Sequence, residues 1–281
     1  MKIGIHGAAW SNHFGSDTLY IIDSCKRIGL DYLEIPFGTD LSEIPVQEVV
    51  DRCDGALEIK TGTAIRLPEH DVSSDDPDCR KSAVQYLKDC VRLTHEMGGK
   101  MLSGLIYTQT RKHKTGYASE AEWEHSTQGI KEVAKYAQDL GVSVGVEQTI
   151  RYSNHLLNTA EQAMRFVDMV DEPNVFIHMD SFHMCMEEKD FYEPIVRVGK
   201  RMQFFHLSGN DRGVPGPGVV DWDAIFMAFR QIGFDGYAGF ETFCYGNSTV
   251  FRDIIPDGDT FAEESLKFTR KMMAKYGYTQ G

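Results

Sequence analysis

Four ionisable residues stand where apolar runs of β type come to an end. Glu147 closes V-S-V-G-V-E (142–147), Asp180 closes the run from Asn174, His206 lies near the end of Q-F-F-H-L (203–207), and Glu241 ends Y-A-G-F-E (237–241). Apolar strands seldom carry such groups unless they are paired or bound to a metal. Three carboxylates and one imidazole make an oxygen-dominated donor set. That set suits Mn2+, Mg2+ or Co2+, with manganese first, and differs from the Cys/His-rich surroundings of structural zinc. The competing reading is a buried charge network around His206 and Arg212, which without a cation would be costly for three packed acids. Taken alone, Asp180 with His183 three residues on also fits a helix N-cap beside a satisfied polar group.

A divalent cation on these four residues could hold two adjacent oxygens of a substrate, polarise a carbonyl and acidify the C–H beside it. Proton loss then gives an enediolate held by the cation. Glu147 and Glu241 end non-adjacent strands, so one could act as base and the other as acid from opposite faces, which is epimerisation. Metal coordination is expected to keep both ionised before substrate arrives. The loop H-L-S-G-N-D-R-G-V-P-G-P-G (206–218) brings Arg212, which could hold a substrate oxygen or a phosphate. No second basic residue stands near it in the loop, which favours an uncharged sugar. Glu34 and His6, near the ends of earlier strands, are weaker candidates for substrate contact, because a polar residue there can simply bridge neighbouring strands. Trp10, Phe37 and Tyr107 could line the pocket or belong to the core.

These residues need a frame that brings strand ends together. Strands are expected at 2–6, 31–36, 56–65, 100–107, 142–147, 174–180, 203–207 and 237–241. Helices are expected at 17–28, 42–53, 77–97, 119–140, 158–170, 190–199, 222–232 and from about 260, from apolar spacing and start signals such as Asp76-Pro77. Unbroken β-α alternation argues for a parallel sheet closed into a (β/α)8 TIM barrel, whose active site lies at the carboxyl ends of the strands. The rival is an open doubly wound sheet, but no G-x-G-x-x-G or G-x-x-x-x-G-K-[ST] follows any strand. The loop 108–118 is long enough to be a lid. No composition break marks a second domain, so 1–281 reads as one barrel domain.

Composition narrows the partners. Lys plus Arg number 29 against 42 Asp plus Glu, a net charge of −13, which argues against nucleic acid. No stretch reads as a signal peptide or a membrane span, and the six dispersed cysteines lack a C-x-x-C pair, as expected of a cytoplasmic protein with reduced thiols.

At these residues the chain resembles the ketose 3-epimerases, the D-tagatose and D-psicose (allulose) 3-epimerase group of the xylose-isomerase-like barrels. The resemblance covers nearly the whole chain. It is carried by G-V-E with Arg151 and L-L-N-T-A-E-Q, by M-D-S-F-H-M with a following Glu-Glu, and by the 206–218 loop. G-F-D-G-Y-A-G-F-E-T-F, F-R-D-I and L-P-E-H-D-V-S-S-D-D-P-D-C-R also match. It implies that Glu147 and Glu241 are the acid/base pair and also metal ligands, that Asp180 and His206 complete the metal site, and that His183 and Arg212 hold the ketose. It further implies a homodimer or homotetramer. The family reads E-P-L-N-R-[FY]-E after the strand-five glutamate, whereas this chain reads E-Q-T-I-R-Y-S, placing Ser153 where a substrate-contacting glutamate is expected. G-I-H-G-A-A-W likewise replaces an aromatic-rich first strand.

The leading expectation is therefore C3 epimerisation of a free ketose of the D-tagatose, D-fructose, D-psicose or L-ribulose type. Ser153 keeps open an isomerase or lyase acting on a modified sugar such as a 3-keto-glycoside or inosose. A sugar-binding barrel without turnover is opposed by the retained Glu147 and Glu241. An endonuclease-IV-like barrel is opposed by the negative charge.

Overall fold

The computed structural model describes residues 1–112, 114–244, 246 and 250–278. Eight parallel strands close in sequence order: β1 (Lys2–His6), β2 (Tyr32–Phe37), β3 (Glu58–Thr63), β4 (Met101–Gly104), β5 (Ser143–Glu147), β6 (Val175–Asp180), β7 (Met202–His206) and β8 (Tyr237–Phe240). Closure is made by β1, which pairs with β2 through His6 and Glu34 and with β8 through Ile5 and Phe240. Strands buried on both faces need covering helices. Those are α1 (Tyr20–Ile28), α2 (Val46–Cys53), α3 (Pro77–Glu96), α4 (Glu120–Asp139), α5 (Ala160–Val170), α6 (Ser181–Glu187), α7 (Glu193–Val198), α8 (Trp222–Ile232) and α9 (Gly258–Lys275).

The expected TIM barrel is present, and its departures from expectation have local causes. Helix α2 begins at Val46, because Asp40 caps a separate 3-10 turn at Leu41–Glu43 and Pro45 interrupts the run. Strand β4 stops at Gly104, whose φ of 130° takes the chain out of the ladder, so 105–107 are not strand. Helix α6, not expected from the sequence, starts directly after β6. The Asp180 carboxylate caps it by accepting from the Phe182 N–H at 2.7 Å. Asp180 is thus both strand end and N-cap, and the two readings of its position coexist.

The amino end of the barrel is plugged by Tyr32, Met101, Phe176 and Phe204, with Tyr237 packed against them. That layer makes the interior a filled core, so the open end is the carboxyl one. No helix among the described residues is long and apolar enough to cross a membrane.

Candidate active site

Strand register brings the acids and the imidazole together. Asp180 stands beside His206, and His206 beside Gly239, just before Glu241 leaves β8. One ligand atom from each of Glu147, Asp180, His206 and Glu241 lies within 4.8 Å of the others. His206 Nδ1 is 4.0 Å from Glu147 Oε1, 3.9 Å from Asp180 Oδ2 and 3.7 Å from Glu241 Oε2. Both His206 Nδ1 and Glu147 Oε1 are buried without a hydrogen-bond partner. Orphaned buried polar atoms are uncommon, and here they point at one another across a hard-donor cage. The residues therefore fit a divalent cation.

His206 is aimed from behind. Its Nε2 lies 2.8 Å from Glu34 Oε2, so the ring proton sits there and Nδ1 presents its lone pair to the cage when the ring is neutral. Glu34 was expected to touch substrate; the structure instead commits it, 2% exposed, to His206. Space for that carboxylate comes from Gly62, where an added Cβ would stand 2.5 Å from Glu34 Oε1. Gly62→Ala is expected to dislodge Glu34 and weaken metal binding about tenfold, as loss of an outer-shell partner does. A metal titration, with circular dichroism to verify the fold, checks this; unaltered affinity would detach Glu34 from the site.

Arg212 and His183 form the rim. Arg212 Nη1 donates to Asp180 Oδ2 at 2.6 Å and to Ser208 Oγ at 2.8 Å, and lies 2.7 Å from Glu241 Oε2. Its guanidinium stacks on Phe182 at 4.0 Å. The Arg212 backbone has a φ of 66°, a strained setting for a residue with a side chain, held by the turn from Gly209. His183 Nδ1 accepts from the Ile150 N–H at 3.3 Å, which leaves the proton of the neutral ring on Nε2. That nitrogen faces Glu147 Oε1 at 3.6 Å. Burial holds His183 down to about 4, so the neutral form prevails at neutral pH.

The two glutamates differ in environment. Burial, and then the charge of Glu241, push the Glu147 carboxyl well above the usual range. Against burial, Arg212 and His206 hold Glu241 below it. For His206, burial is outweighed by Glu34 and Glu241, which raise it to about 10, so a cation on Nδ1 must displace a proton. Burial and neighbouring charge thus push the two carboxyls in opposite directions.

Other candidates divide. His6 lies between the rings of His206 and Phe243, and its Nδ1 accepts from the Ala8 N–H at 3.2 Å, leaving Nε2 for a ligand. Tyr107 was expected at the pocket but is fully buried, its hydroxyl donating to the carbonyl of Glu147 at 2.9 Å. It therefore positions the end of β5 and offers nothing to a substrate. Phe37 is core, and the Trp10 indole donates to Asp259 at 2.8 Å. Ser153 uses its carbonyl to accept from the Arg111 N–H at 2.6 Å, tying its loop to 108–118. Ser208 and Phe182 were not anticipated; the loop and helix sequences hold no local sign of what they touch.

The loop at 108–118, of which residue 113 lies outside the described residues, is anchored at its root. Lys112 reaches Asp71 at 2.7 Å and Glu122 at 3.2 Å, while Lys114 and His155 each reach Glu122 at 3.0 Å. Against burial, hydrogen bonds from the Ser119 N–H, Lys114, His155 and Lys112 hold Glu122 down to about 2. A carboxyl lowered on folding adds stability in full above its unfolded value near 4.5 and loses it as pH falls through about 2. The stability deficit of Glu122→Gln, roughly 1 kcal/mol at pH 7 once solvent screening of the partly exposed lysines is allowed for, is thus expected to shrink between pH 5 and 2 in thermal melts. A deficit independent of pH would mean that the cluster does not hold the loop electrostatically.

A family model described as "Xylose isomerase-like TIM barrel" matches residues 22–272. The ketose 3-epimerase of Arthrobacter globiformis is 32% identical over 261 residues, covering 90% of this chain and 87% of that protein. The D-psicose 3-epimerase of Ruminiclostridium cellulolyticum is 30% identical over 97% of this chain and 98% of its own length. The solved structure of D-allulose 3-epimerase from Methylomonas sp. in complex with D-allulose superposes with a TM-score of 0.92 at 28% identity, covering 97% of both chains.

Proposed function

This chain belongs to the ketose 3-epimerases of the xylose isomerase-like TIM barrel family, and we infer that it inverts C3 of a free ketose of the D-tagatose, D-fructose, D-psicose or L-ribulose type. The observation that carries this is the convergence of Glu147, Asp180, His206 and Glu241 on one point at the carboxyl end of the barrel, rimmed by His183 and Arg212. Glu147, Asp180, His206 and Glu241 would hold a divalent cation, which when bound polarises a substrate carbonyl and acidifies the neighbouring C–H. One of Glu147 and Glu241 takes the C3 proton and the other returns a proton to the opposite face. His183 donates its Nε2–H, and Arg212 its free guanidinium N–H groups, to ketose oxygens.

The hard donor set supports manganese, with Mg2+ or Co2+ as substitutes. The free cysteines support a cytoplasmic setting. One barrel domain assembled as a homodimer or homotetramer is what the family resemblance implies. Ser153 has no carboxylate to offer the sugar, and its hydrogen bonds run through its backbone, which keeps a modified sugar such as a 3-keto-glycoside as the second reading.

Proton NMR in D2O tests this with enzyme loaded with Mn2+, then stripped and reconstituted with Mg2+, on D-fructose, D-tagatose, D-psicose and L-ribulose. Metal-dependent loss of the C3 proton signal together with formation of the C3 epimer is expected. Absence of exchange on all four would reject the free-ketose reading and turn the assay to 3-keto-glycosides. Arg212→Ala is expected to raise KM about tenfold with a smaller change in kcat, as for a lost charge-assisted hydrogen bond. An unchanged KM would remove Arg212 from the binding site.

A further inference from the structure

Strand β6 carries a second inward-facing ligand, His178, which the chemistry above leaves unused. It precedes Asp180 by two residues, so it shares the inward face and lies roughly 6.6 Å further down the strand. The residue is fully buried and pairs in register with Glu147. Its ring stacks on Phe204 with centroids 4.3 Å apart and stands edge-on to His206, also at 4.3 Å. The Ser103 hydroxyl lies 3.2 Å from Nδ1, which leaves Nε2 as the free nitrogen.

Three buried atoms here have no hydrogen-bond partner: His178 Nε2, His206 Nδ1 and Glu147 Oε1. A ring nitrogen of His178 and ligand atoms of Glu147 and His206 lie within 4.8 Å of one another. An unpaired buried polar atom costs about 1–3 kcal/mol, so three of them converging is not how an ordinary core is built. Asp180 and Glu241 differ in this respect, because Arg212 already satisfies them. Ser103 stands behind His178 and Glu34 behind His206, the outer-shell placement found behind metal-ligating histidines.

We propose that Glu147, His178 and His206 form a second, deeper cation position, which takes a nitrogen-preferring ion of the Zn2+ class. Two imidazoles and one carboxylate, with an open fourth place, match the ligand count of three-ligand zinc sites. The deeper position shares Glu147 and His206 with the oxygen-rich one, so filling it withdraws two of the four ligands and one acid/base group. Zn2+ is therefore an inhibitor that competes with the activating metal. The inference rests on the reading of the four-residue cage as the activating site.

The test uses crystals of the full chain stripped with EDTA and soaked separately in MnCl2 and ZnCl2, with anomalous difference maps at each metal's edge. The Mn2+ peak is expected within the four-residue cage and the Zn2+ peak displaced toward β6, bonded to His178. In solution, calorimetric titration of His178→Gln is expected to show Zn2+ affinity lowered at least about tenfold, since even an outer-shell loss costs that much. Mn2+ affinity stays within about threefold. A Zn2+ peak coincident with Mn2+ and out of reach of His178, or equal losses for both ions, overturns the proposal. The soaks need no substitution, so a poorly folded variant leaves them decisive. Mn2+ missing from the cage would refute the activating-site reading, while the Zn2+ peak still judges the deeper position.

Discussion

Glu147→Gln and Glu241→Gln are each expected to lower turnover at least about 100-fold while the fold persists, because glutamine keeps the shape of glutamate but cannot carry the proton. Epimerisation by two opposed carboxyls needs both, so one substitution stops inversion in either direction. It need not stop exchange. An epimer whose C3 proton faces the surviving carboxyl still loses deuterium label to solvent, whereas its partner does not. Each variant is therefore expected to retain exchange on one epimer only, and on opposite epimers. The two carboxyls sit in different surroundings: Arg212 Nη1 lies 2.7 Å from Glu241 Oε2, while Glu147 Oε1 has no hydrogen-bond partner. Circular dichroism and metal content separate loss of chemistry from loss of fold or cation. Near-normal turnover in either variant would sink the two-carboxyl mechanism.

Stripping the metal is the second large effect. Chelation with EDTA is expected to reduce activity to background and to lower the melting temperature by about 5–10 °C relative to protein in saturating Mn2+. A ligand at about 100 times its Kd adds about 2.7 kcal/mol, and for a chain of this size each kcal/mol moves Tm by roughly 2–4 °C. The structural reason is the cage itself. Arg212 meets Asp180 and Glu241, but Glu147 Oε1 and His206 Nδ1 have no partner of their own. Readdition of Mn2+ should restore both quantities. Full activity and an unchanged melt after mass spectrometry shows the protein metal-free would remove the cation from the reaction.

What could be read beforehand follows from local physics. Short apolar runs alternate with helically spaced segments eight times, and parallel strands cannot be buried without their helices, so the barrel was legible in the chain. The acids at 147, 180 and 241 were legible too, since a charge ending an apolar run contradicts its surroundings unless something binds it. Boundaries failed where one residue overrode a pattern, as Gly104 does in β4 and Pro45 before α2.

Partnerships across the barrel had no local signal. Glu34 serves His206 from 172 residues away, and Gly62 on the next strand makes room for it. Tyr107 reads as a pocket aromatic in the sequence, but its hydroxyl donates to the carbonyls of Glu147, at the end of β5, and of Leu157, in the loop that follows. His178 was in plain view as the second inward residue of β6, yet only the packing of β4, β5 and β7 around it shows which of its nitrogens is free. Local pattern specified eight strands, every helix but α6 among those described, and the residue types at the strand ends, because these depend on neighbours a few positions away. Which of those residues meet, and which atom each one offers, was decided by closure of the barrel, because register and the direction of each side chain are set jointly by strands far apart in the chain.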